Sequence, residues 1–169
     1  MLKIIYNLRP FFEDCYRRIN VREYGRIINV SPPTASKILS LYYKEGILRK
    51  EKYRNYLFFY ANKDSRQFID LSKVYWSYKL KDLVNFINDK LLSPTIILFG
   101  SLAKAEVNKN SDVDLVIFAT KKELNLKHFE KKLKRNIQVF WFKSLKDIRN
   151  KELANNIING YVLIGKIKI

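Results

Sequence analysis

The spacing of apolar residues changes along the chain, from the three- and four-residue steps of helices to the two-residue alternation of strands. In the first part, helical spacing predicts three short helices, over residues 11–18, 21–28 and 32–44. Ser31 precedes a proline pair and is the expected N-cap of the third helix, because proline fits the first helical turn. Gly46 is expected to end this helix.

The stretch from Arg49 to Tyr60 alternates and predicts a β-hairpin that turns near Arg54 and Asn55. Three helices followed by a basic hairpin is the order of a winged helix. In the third helix the apolar positions expected to face a core are Ala35, Ile38, Leu39 and Tyr42. The polar positions left for solvent or nucleic acid are Thr34, Ser36, Lys37 and Ser40.

The phrase from Val30 to Arg49 resembles the winged helix-turn-helix domains of prokaryotic transcription regulators. A helix of this kind enters the DNA major groove with its early polar residues, while basic hairpin residues reach phosphates. The candidate groove contacts are then Thr34, Ser36 and Lys37, and the candidate phosphate contacts are Arg49, Lys50, Lys52 and Arg54. Many such domains instead serve as protein-docking modules, and that alternative stays open.

A long helix is predicted from Asp64 or Ser65 to about Leu91, because apolar residues continue there at helical steps. Ser93 and Pro94 end it, and strands then alternate with helices. We therefore expect an α+β protein with three parts: a winged helix in residues 1–62, a linker helix in 63–92 and an enzyme-like domain in 93–169. The linker helix has apolar surface to spare, which favours a homodimer.

The chemistry-bearing residues lie in the third part. A short apolar run, Thr95 to Phe99, leads into Gly100 and Ser101, an order typical of phosphate-binding turns. Asp112 and Asp114 then begin a second strand, and residues two apart in a strand share a face. Two adjacent carboxylates repel each other, and a hard divalent cation such as Mg²⁺ resolves that cost. Two solvated aspartates beside a turn are the structural alternative.

The residues Leu98 to Ser101, followed by Asp112 to Leu115, resemble the signature of the DNA polymerase beta nucleotidyltransferase superfamily. The resemblance extends to the minimal nucleotidyltransferases, some of which act as antitoxins to HEPN-type toxins. It implies transfer of a nucleoside monophosphate from an NTP, such as ATP, to a hydroxyl, with Mg²⁺ or Mn²⁺. Gly100 and Ser101 would contact the triphosphate, Asp112 and Asp114 would bind the metals, and Lys104 would match the family's basic residue after the serine.

The sequence departs from that family at its third carboxylate. The corresponding strand, from Asn136 to Phe142, offers Gln138, and no acid occurs from Lys131 to Leu145. The glutamine carbonyl can bind a metal, so Gln138 is a candidate ligand, but it adds no charge and accepts no proton as a carboxylate would. Glu106, Glu123 and Glu130 are candidates to replace the third carboxylate, but nothing in their spacing indicates which of them does so.

Composition adds a strong positive charge, since 33 Lys and Arg outnumber 16 Asp and Glu to give +17 at neutral pH. The excess is spread along the chain and favours polyanions such as DNA or RNA, although a thermophile or AT-rich genome would explain part of it. One cysteine, Cys15, excludes an internal disulfide and a cysteine-based zinc site. No signal-peptide pattern or membrane-length apolar run occurs, so we expect a cytoplasmic protein.

Three functions fit these features. The first is a nucleotidyltransferase acting on a hydroxyl of a nucleic acid or protein, with the winged helix recruiting DNA, RNA or a partner. The second is a DNA-binding regulator whose nucleotidyltransferase domain binds a nucleotide without turnover. The third is an antitoxin-like protein whose basic surface covers an acidic partner, such as a HEPN-type toxin.

Overall fold

The computed structural model describes residues 1–167 and divides the chain into two compact units. Unit 1 consists of Met1–Tyr75 with Ala105–Lys109, and unit 2 of Trp76–Lys104 with Asn110–Ile169. Helices and two separate sheets make a mixed fold, so the predicted α+β class is confirmed. Within residues 1–167, no helix has the length and apolar character needed to cross a bilayer.

The helices of unit 1 are α1 (Lys3–Glu13), α2 (Val21–Ile28) and α3 (Pro32–Lys44). The prediction for α1 was wrong, because we expected a helix over residues 11–18 and the structure has turns after Glu13. The helix begins before the predicted start and contains Pro10, a residue that usually marks a helix boundary. Proline removes one backbone hydrogen bond from a helix, and burial of neighbours such as Leu8 and Phe11 offsets that loss.

The third helix and the hairpin are confirmed. The Ser31 side chain accepts the Thr34 amide at the start of α3, and Gly46 follows the helix with a φ of +70°. Ala35, Leu39 and Tyr42 are buried and Ile38 is half-buried, as the helical spacing indicated. The hairpin consists of β2 (Leu48–Tyr53) and β3 (Tyr56–Ala61), and a short strand β1 (Ile19–Asn20) extends it to the order β1-β3-β2.

Aromatic rings fill the core of unit 1. Phe12 contacts Phe68 and Tyr75, with ring centroids 5.1 and 5.4 Å apart. The buried amide of Asn7 donates to the Tyr42 hydroxyl at 3.2 Å, and the Tyr24 hydroxyl donates to the Asn7 carbonyl at 3.0 Å. Burial of these aromatic side chains, at roughly 25 cal/mol per Å² of apolar surface, is the main stabilising contribution in this unit.

The prediction of a single long linker helix is also wrong, because the structure has two helices there, α4 (Arg66–Lys79) and α5 (Lys81–Lys90). Leu80 separates them, with φ −90° and ψ −1°, and its side chain is fully buried. The break is local, since the Leu80 amide still bonds to the Trp76 carbonyl at 2.8 Å. The apolar periodicity does not reveal such a break, because the break leaves the helical spacing on both sides unchanged.

Unit 2 contains a four-stranded sheet in the order β6-β5-β4-β7. The strands are β4 (Thr95–Phe99), β5 (Val113–Phe118), β6 (Ile137–Phe142) and β7 (Tyr161–Ile164). β4 pairs antiparallel with β5 and β7, whereas β5 and β6 are parallel. The remaining helices are α6 (Gly100–Lys104), α7 (Lys127–Leu133) and α8 (Lys151–Ile158), with a 3₁₀ helix at Leu145–Asp147.

The basic run over residues 121–135 also predicts a helix, because apolar residues recur in it at helical steps, but the helix in the structure is shorter. It begins at Lys127, where the Asn125 side chain accepts the Lys127 amide, and ends before Lys134, which has a left-handed φ of 55°. Asparagine competes with helix formation by such local hydrogen bonds, so residues 121–126 stay outside the helix.

One face of the sheet packs against α8 and the 3₁₀ helix. Ile97, Phe99 and Val116 from the sheet form a buried cluster there with Ile148 and Ile157. Asp114 is two residues before Val116 and therefore lies on this same face. The cluster ends at Asp114, so apolar packing gives way to carboxylate at the edge where β5 begins.

Candidate active site

Gly100 lies directly against the carboxylate of Asp114. Asp114 pairs with Phe99, the last residue of β4, and Gly100 follows with a φ of +70°. A Cβ atom on Gly100 would collide with Oδ2 of the Asp114 carboxylate, and it would lie 3.2 Å from the Cγ of Asp114. Both the backbone conformation and the close approach therefore require glycine here.

Asp112 precedes β5 and is held by two amide side chains. Gln138 Nε2 donates to Asp112 Oδ2 at 2.7 Å, and Asn136 Nδ2 donates to Asp112 Oδ1 at 3.2 Å. The parallel register places Gln138 beside Asp114, and the Val113 amide bonds to the Asn136 carbonyl at 2.8 Å. Gln138 thus faces the carboxylate pair, as the family resemblance implied, with its amide nitrogen toward Asp112.

Arg135 fixes the loop that carries Asp112. Its guanidinium donates to the Ser111 carbonyl at 2.6 Å and lies 5.3 Å from the centroid of the Trp76 ring. The sequence analysis missed both Arg135 and Asn136. Asn136 is two residues before Gln138, so strand alternation from Gln138 would have pointed to it, whereas nothing in the sequence marked Arg135.

Asp114 is half-buried, and its side-chain carboxylate makes no hydrogen bond or ion pair within residues 1–167. Burial, and next the nearby charge of Asp112, raise the pKa of the Asp114 carboxyl above its usual value of 3.8. Both causes penalise the ionised form, so this carboxylate carries a cost that a cation would remove.

The donor set fits one divalent cation. Asp112 and Asp114 supply carboxylate oxygens, and each Asp112 oxygen keeps a lone pair beyond its amide donor. Across residues 1–167, no group of three or more His, Cys, Asp or Glu side chains is placed to hold a metal. Gln138 would become a ligand only if its amide turned its oxygen inward.

The other acids that the sequence left open lie elsewhere. Glu130 accepts the Ile137 amide at 3.1 Å, so its carboxylate supports the start of β6. Glu123 follows the opposite end of β5 and is exposed. Glu106 is exposed in the segment that belongs to unit 1.

Two further candidate nucleotide contacts are in α6. Ser101 follows Gly100 and is half-buried. Lys104, one turn later, is exposed and donates to the Asn156 side chain of α8 at 2.8 Å. Lys104 is therefore engaged with α8 in this structure.

The candidate nucleic-acid contacts of unit 1 are all exposed. Arg49 pairs with Asp64 at 2.6 Å, and Lys50 lies 4.1 Å from the centroid of the Tyr43 ring. Lys52 makes no ion pair in the part of the chain that the structure describes, and Arg54 lies 5.5 Å from the Tyr53 ring centroid at the hairpin turn. The other three, on the first turns of α3, are Thr34, Ser36 and Lys37.

Comparison with known proteins identifies the family. No curated protein and no solved structure shows significant similarity to the chain. The model of the family described as "Polymerase beta, Nucleotidyltransferase" matches residues 81–168, which is more than half of the chain and includes Gly100, Ser101, Asp112 and Asp114. The chain belongs to the polymerase beta nucleotidyltransferase family.

Proposed function

We propose that the protein binds an NTP, with ATP as the first candidate, together with Mg²⁺, and transfers the nucleoside monophosphate to a hydroxyl of a nucleic acid or protein. The observation that carries this proposal is the Asp112–Asp114 pair, in which the Asp114 carboxylate lies directly against Gly100. A half-buried carboxylate whose oxygens have no hydrogen-bond donor, beside a second carboxylate and against a glycine that only a residue without a Cβ could replace, is an arrangement typical of a functional site.

Each residue has a separate role in this proposal. Asp112 and Asp114 hold a Mg²⁺ or Mn²⁺ ion, which supplies positive charge for the triphosphate. Gly100 lets phosphate oxygens approach the backbone, and the Ser101 hydroxyl donates a hydrogen bond to them. Asn136, Gln138 and Arg135 act as positioning residues, because they orient Asp112 and its loop.

Transfer is expected to be slow. The attacking hydroxyl must lose its proton, and Gln138 cannot accept it where a carboxylate would. Binding of a nucleotide without turnover is the outcome that would favour a regulatory or antitoxin-like protein.

Titration of ATP in the presence of Mg²⁺ tests the proposal on the wild type and Asp112→Asn. We expect the substitution to weaken ATP binding at least tenfold, because one charged ligand is lost. Asp89→Asn is the matched control, since Asp89 is an exposed acid of α5 in the same unit. Equal affinity in wild type and Asp112→Asn would remove the assignment, and incubation with α-labelled NTPs then separates transfer from binding alone.

We propose further that unit 1 is a winged helix-turn-helix domain that recruits DNA. Three helices, a β1-β3-β2 sheet and an exposed polar start of α3 support this role. Thr34, Ser36 and Lys37 would contact base edges in the major groove, and the basic hairpin residues would contact phosphates. Duplex binding at low salt tests it, and its absence would favour a protein-docking module.

A further inference from the structure

The end of the sheet opposite the carboxylates is strongly basic. β5 and β6 finish there, and β4 begins there, about 13 Å from Asp114 at roughly 3.3 Å per residue. Three adjoining depressions, which we name the lysine groove, open at this end of unit 2. Their lining includes Lys90, Lys121, Lys122, Lys143 and Lys166 but a single acid, Glu123.

Three of the five lysines line two depressions each. The first depression, of about 210 Å³, and the second, of about 590 Å³, share Lys143. The second and the third, of about 570 Å³, share Lys121 and Lys122. All five lysines are exposed, and none forms an ion pair within residues 1–167. Lys122 Nζ donates to the Lys90 carbonyl at 3.2 Å and Lys90 Nζ lies 6.0 Å from the Phe86 ring centroid, and neither contact neutralises the charge. Their charge is therefore available to a ligand.

Each depression also has an apolar wall. Phe118 lines the first, Leu92 the second, and Trp141 the third. Leu92 is 95% exposed and Trp141 is half-buried, so both keep surface that solvent reaches. The lining thus alternates apolar surface with shared positive charge.

We propose that the lysine groove binds single-stranded nucleic acid. A single strand alternates phosphates with unpaired bases, which matches lysines that separate apolar depressions, and bases stack on aromatic side chains such as Trp141. A duplex keeps its bases stacked inside and offers nothing to the apolar walls. An acidic peptide offers charge but no planar apolar groups at regular intervals.

The lysine groove does not depend on nucleotide binding. It shares no residue with the Gly100–Asp114 site, so Asp112→Asn should bind a single strand as the wild type does. A failed ATP titration would therefore leave this inference standing, and a failed strand titration would leave the proposed transfer standing.

The test uses the full chain and a labelled short oligothymidylate, which forms no duplex. Lys121→Ala/Lys143→Ala should weaken strand binding about tenfold or more and reduce the salt slope by about 1.4, because each lost phosphate contact accounts for about 0.7. Lys131→Ala/Lys151→Ala is the control, since it removes two exposed lysines of unit 2 that do not line the groove. A control that loses as much affinity would overturn the proposal.

Two readouts exclude other occupants. The strand should quench tryptophan fluorescence in the wild type and not in Trp141→Phe, because the other tryptophan, Trp76, is only 1% exposed. Duplex DNA and polyglutamate should retain their affinity for Lys121→Ala/Lys143→Ala. If either of them loses affinity as much as the oligothymidylate does, the groove selects charge alone and the single-strand assignment is wrong.

Discussion

Half-buried carboxylates have a hydrogen-bond donor in both units, including Asp112 and Glu130 of unit 2, and Asp114 is the exception within residues 1–167. In unit 1 the half-buried acids each have a donor: Glu13 accepts from Tyr75, Asp14 from the Tyr16 amide, Glu23 from Arg17 and Glu51 from Arg18. In unit 2, Asp114 has no such donor within residues 1–167 and lies beside Asp112. Unit 1 is electrostatically complete at these positions, whereas unit 2 leaves a charge for a ligand to match.

The largest expected effect is a difference in folding stability between alanine substitutions at two glycines, Gly46 and Gly100, which share a φ of +70°. Gly46→Ala in unit 1 should cost about 1 kcal/mol, because its Cβ meets nothing within 4 Å and only the backbone is strained. Gly100→Ala adds the collision with Asp114 Oδ2, which must turn away, so it should cost more stability than Gly46→Ala and abolish ATP binding by displacing that carboxylate. Urea unfolding midpoints measure the difference.

Equal destabilisation by the two substitutions would contradict the close approach of Gly100 to Asp114. Gly100→Ala combined with Asp114→Ala serves as the internal control. It removes the carboxylate from the collision, so the double variant should recover most of the stability lost by Gly100→Ala.

A second effect concerns the exposed charge of unit 1. Lys52→Ala/Arg54→Ala should weaken duplex DNA binding about tenfold or more and reduce the salt slope by about 1.8, since each phosphate contact on B-DNA contributes about 0.9. Oligothymidylate binding should hardly change, which is the reverse of Lys121→Ala/Lys143→Ala. Duplex affinity that these substitutions leave unaltered would remove the hairpin from the DNA contact.

A third and smaller effect is expected from Gln138→Asp, which adds an acid to the site of unit 2. Gln138→Asp places a third carboxylate beside Asp112 and Asp114, and it should tighten Mg²⁺ binding roughly tenfold and speed any transfer. Without metal the variant should be less stable, because like charges repel. Gln138→Ala controls for loss of the amide, and a Gln138→Asp protein with unchanged metal affinity would mean that this side chain does not reach the cation.

The smallest effect is a dependence of stability on pH. The folded-state pKa of Asp114 is raised, so the unfolded chain loses this proton first as the pH rises above about 3.8, and the folded state loses stability through that window. In the absence of metal, Asp114→Asn should therefore be more stable than the wild type at neutral pH, and the advantage should disappear below the usual aspartate pKa. Thermal unfolding at several pH values measures this, and added Mg²⁺ should reverse the order.

Local patterns in the sequence determined much of this protein. The Ser31–Pro32 start predicted α3, and the alternation from Arg49 to Tyr60 predicted the hairpin, because capping and strand alternation act between near neighbours. The same two-residue alternation put Asp112 and Asp114 on one face. The Gly100–Ser101 turn and these acids also indicated the family whose model matches residues 81–168.

Tertiary structure decided the rest. Pro10 stays inside α1 and Leu80 divides the linker helix, and in both places the deciding term is burial against residues distant in sequence. The hydrogen bonds from Asn136 and Gln138 to Asp112 join parallel strands that are 24 and 26 residues apart in the chain. The lysine groove likewise combines side chains that lie as far apart in the chain as Lys90 and Lys166. The sequence shows how many charges there are, but only the folded sheet brings these lysines to one end.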